Sequence, residues 1–346
     1  MSTLKVNAIT DTTGLLAPVF PAGSAQLNPL ANREDLIING DMSIWQRGQS
    51  GTTFGYVADR WINGASGGTV TMTRQSFSPG DNLGTAGLNP IFLLRQTVSG
   101  QTLPSQSAEI QQRIEDVRSY AGQTITLLGW ARRSSGATGN MAVYFAQNFG
   151  IGGSVSAGTT PVTVTLTGSW VPFAAVFTVP SIVGKTLGTD GTDYLALRIF
   201  TSGGSDLNAI TNSLGLQTIG VDLWGIHIRR GTWTAAATAD YTPRDPGTEL
   251  ALCQRYFEVG SVSDDGGIGT KYGLAGASKY NSSHPFRVTK RGGTTIAITG
   301  TPQYLNCSAI AIAIATGITG FTSRVTVTAT GEYRAYDCGW TADAEL

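Results

Sequence analysis

Apolar and polar residues alternate with a period of two through short stretches of the chain, the pattern of strands with one face buried. LIING (36–40), TVTMTRQ (69–75), IFLLRQTV (91–98), AEIQQRIE (108–115), QTITLLGWARR (123–133), MAVYFAQNF (141–149), VTVTLTG (162–168), WVPFAAVFTV (170–179), YLALRIFT (194–201) and GVDLWGIHIRR (220–230) all fit. Each is rich in Val, Ile, Thr or aromatic residues, and Gly, Ser, Pro or Asn clusters separate them. In QTITLLGWARR, Ile125, Leu127 and Gly129 share one face, while Thr124, Thr126, Leu128 and Trp130 take the other. No amphipathic helix intervenes, so residues 36–242 are expected to form an antiparallel β-sandwich rather than βαβ units.

The pattern breaks at residues 243–258. Pro243 and Pro246 bracket Asp245, a good N-cap with Pro at the first helical position, and LALCQRYFE follows. Leu250, Cys253 and Phe257 would share one stripe, with Leu252 and Tyr256 beside it, which predicts a linker helix of about three turns. Residues 259–346 return to β patterning. TTIAITG (294–300) and RVTVTATG (324–331) alternate, and AIAIAIA (309–315) puts Ile310, Ile312 and Ile314 on one face with only Ala on the other. A unit this small and this poor in large apolar residues is expected to share burial with identical chains, a cyclic trimer being the favoured form. Residues 1–35 are short, polar and Pro/Ala-containing, with too little apolar matter for a core.

Composition sharpens this picture. Charged residues are 13%, against about 25% in typical soluble domains, and 45 of the 346 residues are Gly. A hydrophobic content of 41% is enough for a core and excludes general disorder. Lys+Arg (23) balances Asp+Glu (23), so affinity for nucleic-acid phosphates or anionic lipid is not expected. Cys253, Cys307 and Cys338 form no CxxC pair, and with two His in the chain neither a zinc ribbon nor a His-based site is expected. MSTLKVNAITDTTG carries no apolar h-region, so it is not read as a secretion signal. The longest apolar stretch, around 309–315, is far short of the roughly 20 residues that span a bilayer.

Few residues offer chemistry. Trp130, Trp170 and Trp224 lie within strand patterns and Trp45 and Trp61 in packing segments, whereas Trp233 in RRGTWTAAAT is flanked by small residues and is the better platform for stacking a sugar. The stretch GSVSDDGGIGTKYGLAGASKYNSSH (260–284) mixes Gly and Ser with Lys271, Tyr272, Lys279, Tyr280, Asn281 and His284, the blend that recognition loops use. Asp264-Asp265 fits a turn better than a hydrolytic carboxylate pair, because adjacent strand residues point apart. Asp190 and Asp193 in GTDGTDY, like Asp41, lack a full cation-loop spacing and are read as turn residues. GIGGSVSAG (150–158) has no helix after it to hold phosphate, and His227 reads as a strand histidine rather than a general base. GxSxG, P-loop and HExxH motifs do not occur, so no catalytic residue, metal or cofactor is assigned.

Several segments, in order, carry a resemblance. LIINGDMSIWQRG (36–48), DRW (59–61), QRIEDVRSYAGQTITLLGWARRSSG (112–136), WVPFAAVFTVP (170–180) and VDLWGIHIRRG (221–231) resemble the jelly-roll module of bacteriophage and prophage tail fibre proteins, itself similar to carbohydrate-binding modules. TPRDPGTELALCQRYFE (242–258) is similar to the linker after that module. HPFRVTKRGG (284–293) and YDCGWTADAEL (336–346) are similar to the closing β domain, and MSTLKVNAITDTTG to a virion-attachment end. The resemblance implies a homotrimeric virion protein assembled in the host bacterial cytoplasm. It would bind other tail or virion proteins through residues 1–35 and a host surface glycan through its distal parts, without enzymatic activity or membrane insertion. A head fibre, decoration or baseplate component is the alternative, and a polysaccharide depolymerase a more distant one.

Overall fold

The computed structural model describes residues 35–78, 83, 90–261, 271–276, 279–314 and 317–346. The expected attachment segment, Asp35 aside, and Asp264-Asp265 lie outside the described residues.

The protein is mainly β. The first part contributes β1 (Ser50–Gly51), β2 (Gly55–Tyr56), β3 (Ile62–Ser66), β4 (Thr69–Ser76), β5 (Phe92–Ser99), β6 (Ser107–Glu115), β7 (Thr124–Ser135), β8 (Asn140–Asn148), β9 (Ala157–Gly158), β10 (Val162–Thr165), β11 (Val171–Thr178), β12 (Tyr194–Gly203) and β13 (Ile219–Arg230). A first sheet runs in the order β1-β4-β5-β13-β7-β11, and a second in the order β10-β8-β12-β6-β3-β2 with β9 on β8. The chain changes sheet at β1–β2, β3–β4, β5–β6, β6–β7, β7–β8, β10–β11, β11–β12 and β12–β13, the winding of a jelly roll. Alternate residues of both sheets meet in one core, where Ile110, Phe145, Leu197, Leu127, Phe173 and Ile228 are buried.

LIING forms no strand. Asn39 and Met42 have φ of 58°, in the left-handed region that Asn tolerates best. The buried Asn39 amide replaces ladder partners, donating to Ile44 O (2.8 Å) and Asp59 O (3.0 Å) and accepting from Ile44 N (2.9 Å).

The linker helix spans Pro246–Gln254, capped by Asp245, which accepts from the N–H groups of Gly247 (3.0 Å) and Thr248 (3.2 Å). Of the expected stripe, Cys253 is buried within the helix and Leu250 and Leu252 are only half-buried. Tyr256 and Phe257 are buried beyond the helix end, Phe257 in the next strand, and Glu249 and Gln254 are the helix's other buried residues. The reason is a polar dock: Glu249 accepts from Asn39 N and from Arg244 Nη1 (3.0 Å), and Arg244 also donates to Ile37 O (2.8 Å).

Beyond it lie β14 (Phe257–Ser261), β15 (Lys271–Gly273), β16 (Lys279–Pro285), β17 (Thr295–Leu305), β18 (Ala311–Ile314), β19 (Gly320–Thr326) and β20 (Gly331–Asp343). β20 pairs with β14, β15 and β17, while β16-β19-β18 form a separate sheet. Phe286, Phe321, Tyr333 and Trp340 meet between these sheets, with Ile296, Ile298, Ile310 and Ile312 half-buried against them. This core is more aromatic than the Ile/Ala stretches suggest, because its rings come from three separate segments: Phe286 after β16, Phe321 on β19, and Tyr333 and Trp340 on β20.

The two β units share a polar joint. Arg47 bonds Asp343 (2.8 Å) and Glu345 (3.1 Å), and its guanidinium lies 3.6 Å over the Phe257 ring. Arg60 pairs with Glu345 and stacks 3.5 Å over Tyr256. Arg255 and Tyr256 both donate to Glu115 (2.9 Å each).

Candidate functional site

The residues singled out in the sequence do not converge. Trp233 follows β13 in the sandwich and is 39% exposed. Its Nε1 donates to Arg230 O (2.7 Å) and Arg229 covers its ring at 3.7 Å, leaving less free indole surface than a sugar platform needs. Tyr272, on β15, is 70% exposed, and Lys271 pairs with Tyr333 in the same register. Lys279, Tyr280, Asn281 and His284 share β16. Lys279 and Asn281 face outward, and Asn281 accepts from Arg324 Nε (2.9 Å). Tyr280 turns inward beside Tyr333, with ring centres 5.0 Å apart. His284 is fully buried, stacked on Phe321 (4.6 Å) and bonded to Ser323 Oγ (2.8 Å), so it is a core residue and not a surface contact.

The other titratable candidates are engaged within the fold. Asp190 accepts from Ile151 N (3.2 Å) and from Thr192, which lowers its pKa, and Asp193 accepts from Val117 N (2.9 Å). His227 is buried in β13, its Nδ1 on Gly225 O (2.8 Å) and its ring against Tyr241 (4.8 Å). Burial pulls its pKa down to about 4, so the ring is neutral near pH 7.

A different constellation stands on the outer face of the second sheet. Strand alternation sends Ile110, Phe145 and Leu197 inward, and therefore sends Gln111, Tyr144 and Arg198 outward. Pairing aligns these three in one cross-strand row, since Arg198 opposes Tyr144 on β8 and Gln111 on β6. Two residues along, Ala196 lies between Ala146 and Arg113, and Gly158 on β9 extends that row beyond Ala146. Two residues further, Tyr194 lies between Asn148 and Glu115.

Small residues thus form a floor between two taller rows. The tall rows are four residues apart along each strand, about 14 Å. The result is a trough that runs across the strands with a tyrosine in each wall. Gly158 is required by close approach: a Cβ there would collide with the Tyr144 hydroxyl, which leans over this end of the floor. At the opposite end Arg113 lies 4.9 Å over the Tyr194 ring and donates to Leu346 O, so the second β unit closes the trough.

The trough is polar but its charges are fixed. Arg198 grips Glu109 through two bonds (Nε–Oε2 2.6 Å, Nη2–Oε1 2.9 Å), and Glu115 is held by Arg255 and Tyr256. Among the described residues, the Tyr144 and Tyr194 hydroxyls and the Gln111 carboxamide have no hydrogen-bond partner within the protein. Both Tyr-bearing segments carry strand patterning in the sequence. The signal was present in YLALR and AVYFA, where tyrosine, alanine and arginine alternate against Leu, Val and Phe.

No protein-family model and no curated protein sequence matches this chain. Among solved structures, the enzymatically active domain of bacteriophage CBA120 tailspike protein 4 is similar at 16% identity and TM-score 0.31, covering 50% of this chain and 19% of that one. The CBM22-1 xylan-binding domain from Paenibacillus barcinonensis Xyn10C is similar at 13% identity and TM-score 0.32, covering 58% of this chain and 96% of that one. A putative sugar binding protein from Bacteroides thetaiotaomicron is similar at 12% identity and TM-score 0.35, covering 57% and 100%. At these identities the likeness bears on neither ligand nor assembly, and the strand order itself establishes the sandwich.

Proposed function

We propose that this chain is a non-enzymatic, trimeric virion fibre protein that binds a host surface polysaccharide in the trough of the second sheet. The observation that carries the reading is the pair Tyr144 and Tyr194, with free hydroxyls, on either wall of an alanine floor. Aromatic rings offer apolar surface to the CH face of a pyranose, and planar polar groups beside them take its hydroxyls. Binding rather than cleavage fits the carboxylates of this face, because Glu109 and Glu115 are both tied into ion pairs and neither is free to act as an acid or base. The fibre role rests on the sequence resemblance. Three-fold presentation would multiply a weak contact per chain, since linked sites make later contacts intramolecular.

The test is affinity electrophoresis of the whole protein through gels containing host surface polysaccharide, with Tyr144→Ala and Tyr194→Ala alongside. Retardation of the wild type and its loss in both variants is the expected result. Equal migration of all three, with and without polysaccharide, would remove the binding reading, and shortened polysaccharide after incubation would favour a depolymerase. Light scattering that finds a single folded chain at working dilution would remove the trimer.

A further inference from the structure

We propose a second saccharide site, selective for a sugar carboxylate, on the outer face of the first sheet, across the sandwich from the trough. Its centre is Asp222, fully buried on β13 and held between two guanidinium groups. Arg95 binds it through Nε (2.6 Å) and Nη2 (2.9 Å), and Arg132 through Nε (2.7 Å). Strand pairing puts these groups in one row, Thr73–Arg95–Asp222–Arg132. Two cations share one anion, so the row keeps a net charge of about +1 at neutral pH.

The two arginines are 28% and 26% exposed, and Asp222 occupies only part of each fork. Among the described residues, neither Arg95 Nη1 nor the two Nη groups of Arg132 have a protein hydrogen-bond partner. The buried aspartate therefore serves as a rigid mount that fixes two forks with N–H groups turned outward, which suits a carboxylate. Arg132 is further fixed against the Trp170 ring (4.8 Å), and Trp170 in turn stacks on Phe77 (5.2 Å) to make a wall beside the row.

The neighbouring row supplies the sugar chemistry. Thr71, Thr97, Gly220 and Ser135 follow one another across the same strands. The hydroxyls of Ser134 and Ser135 lie over Gly220, where any Cβ would meet them. Ser134 Oγ is buried and has no partner within the described residues. A carboxylate on the arginine row thus has hydroxyl donors and acceptors one row away, about 7 Å along the strands. That spacing matches a carboxylate on a hydroxyl-bearing ring, the pattern of a hexuronate unit. A neutral sugar would leave the guanidinium N–H groups unmatched.

The inference does not depend on the trough. Isothermal titration of the whole protein with an oligogalacturonate and with the same oligosaccharide after carboxyl reduction tests it directly. Arg132→Gln removes one fork, and Thr97→Glu sets a competing carboxylate on the exposed terrace without touching the Asp222 mount. The expected result is binding of the acidic oligosaccharide that falls at least about 10-fold in each variant and is unchanged in Tyr194→Ala. Circular dichroism and an unchanged melting midpoint for Thr97→Glu would show that the loss is local. Equal affinity for acidic and reduced forms, indifference to both variants, or loss in Tyr194→Ala would each overturn the site. Complete displacement by acetate at equal concentration would reduce it to an adventitious ion only, and would overturn it as well.

Discussion

Lys290→Met tests how the linker helix is fixed to the second β unit. Lys290 and Glu258 are both fully buried, and Lys290 Nζ donates to Glu258 Oε2, Gln254 O (2.6 Å) and Val288 O (3.3 Å). One ammonium therefore joins the helix end to β14. Methionine fills nearly the same volume but leaves a buried carboxylate whose remaining support is Arg287, through its backbone N–H (3.1 Å) and Nη1 (3.5 Å). Breaking a buried pair from one side costs about 3–5 kcal/mol, and the surviving Arg287 bonds place the expected loss near the lower bound, about 3 kcal/mol. With an m-value of about 2 kcal/mol/M, the urea midpoint of the affected transition should fall by about 1.5 M. Removing both charges in Lys290→Met with Glu258→Leu should recover most of the loss, because no isolated charge is then buried. The reasoning fails if the single variant loses less than about 1 kcal/mol, or if the double variant is no more stable than the single.

Three further outcomes are expected. Because burial lowers His227 to about 4 in the folded state against about 6.5 unfolded, its stabilising contribution is whole above pH 6.5 and is lost as pH falls towards 4, about 3 kcal/mol in all. His227→Gln should flatten that part of the stability–pH curve in urea titrations at pH 7.5 and 4.5, and an unchanged slope would contradict the assignment. Gly158→Ala should push Tyr144 off the trough floor and weaken polysaccharide retardation with little change in melting temperature, whereas unaltered retardation would mean that Tyr144 is not a contact. Asp245→Ala should cost about 1 kcal/mol in thermal unfolding by freeing the Gly247 and Thr248 N–H groups, and no cost would mean that solvent caps this helix equally well.

Alternation alone located most of the sandwich strands, because each is bounded by turn residues and pairs with its inward face apolar. It failed at 36–40, where Asn39 uses a left-handed backbone and its own amide to replace strand pairing. It placed the linker helix and its buried Cys253 but not the polar dock of Glu249 and Arg244, which takes the place expected of Leu250 and Leu252. His284 looked like a recognition residue among Tyr, Ser and Asn, but on β16 every second side chain turns into the core. Composition could not reveal that, since strand parity depends on where the strand starts.

The amino-acid order by itself determined the β architecture, its interruption by one capped helix and the low content of ionisable residues, since these follow from local periodicity, turn chemistry and composition. Tertiary structure decided the rest: which strands neighbour which, and so which side chains share a row. Tyr144, Ala196 and Arg113 are far apart in sequence, as are Arg95, Asp222 and Arg132, and each trio meets only through strand register. Register is set by the joint burial of two apolar sheet faces, and shifting one strand by a single residue would turn that strand's member of the row to the opposite face and break the row.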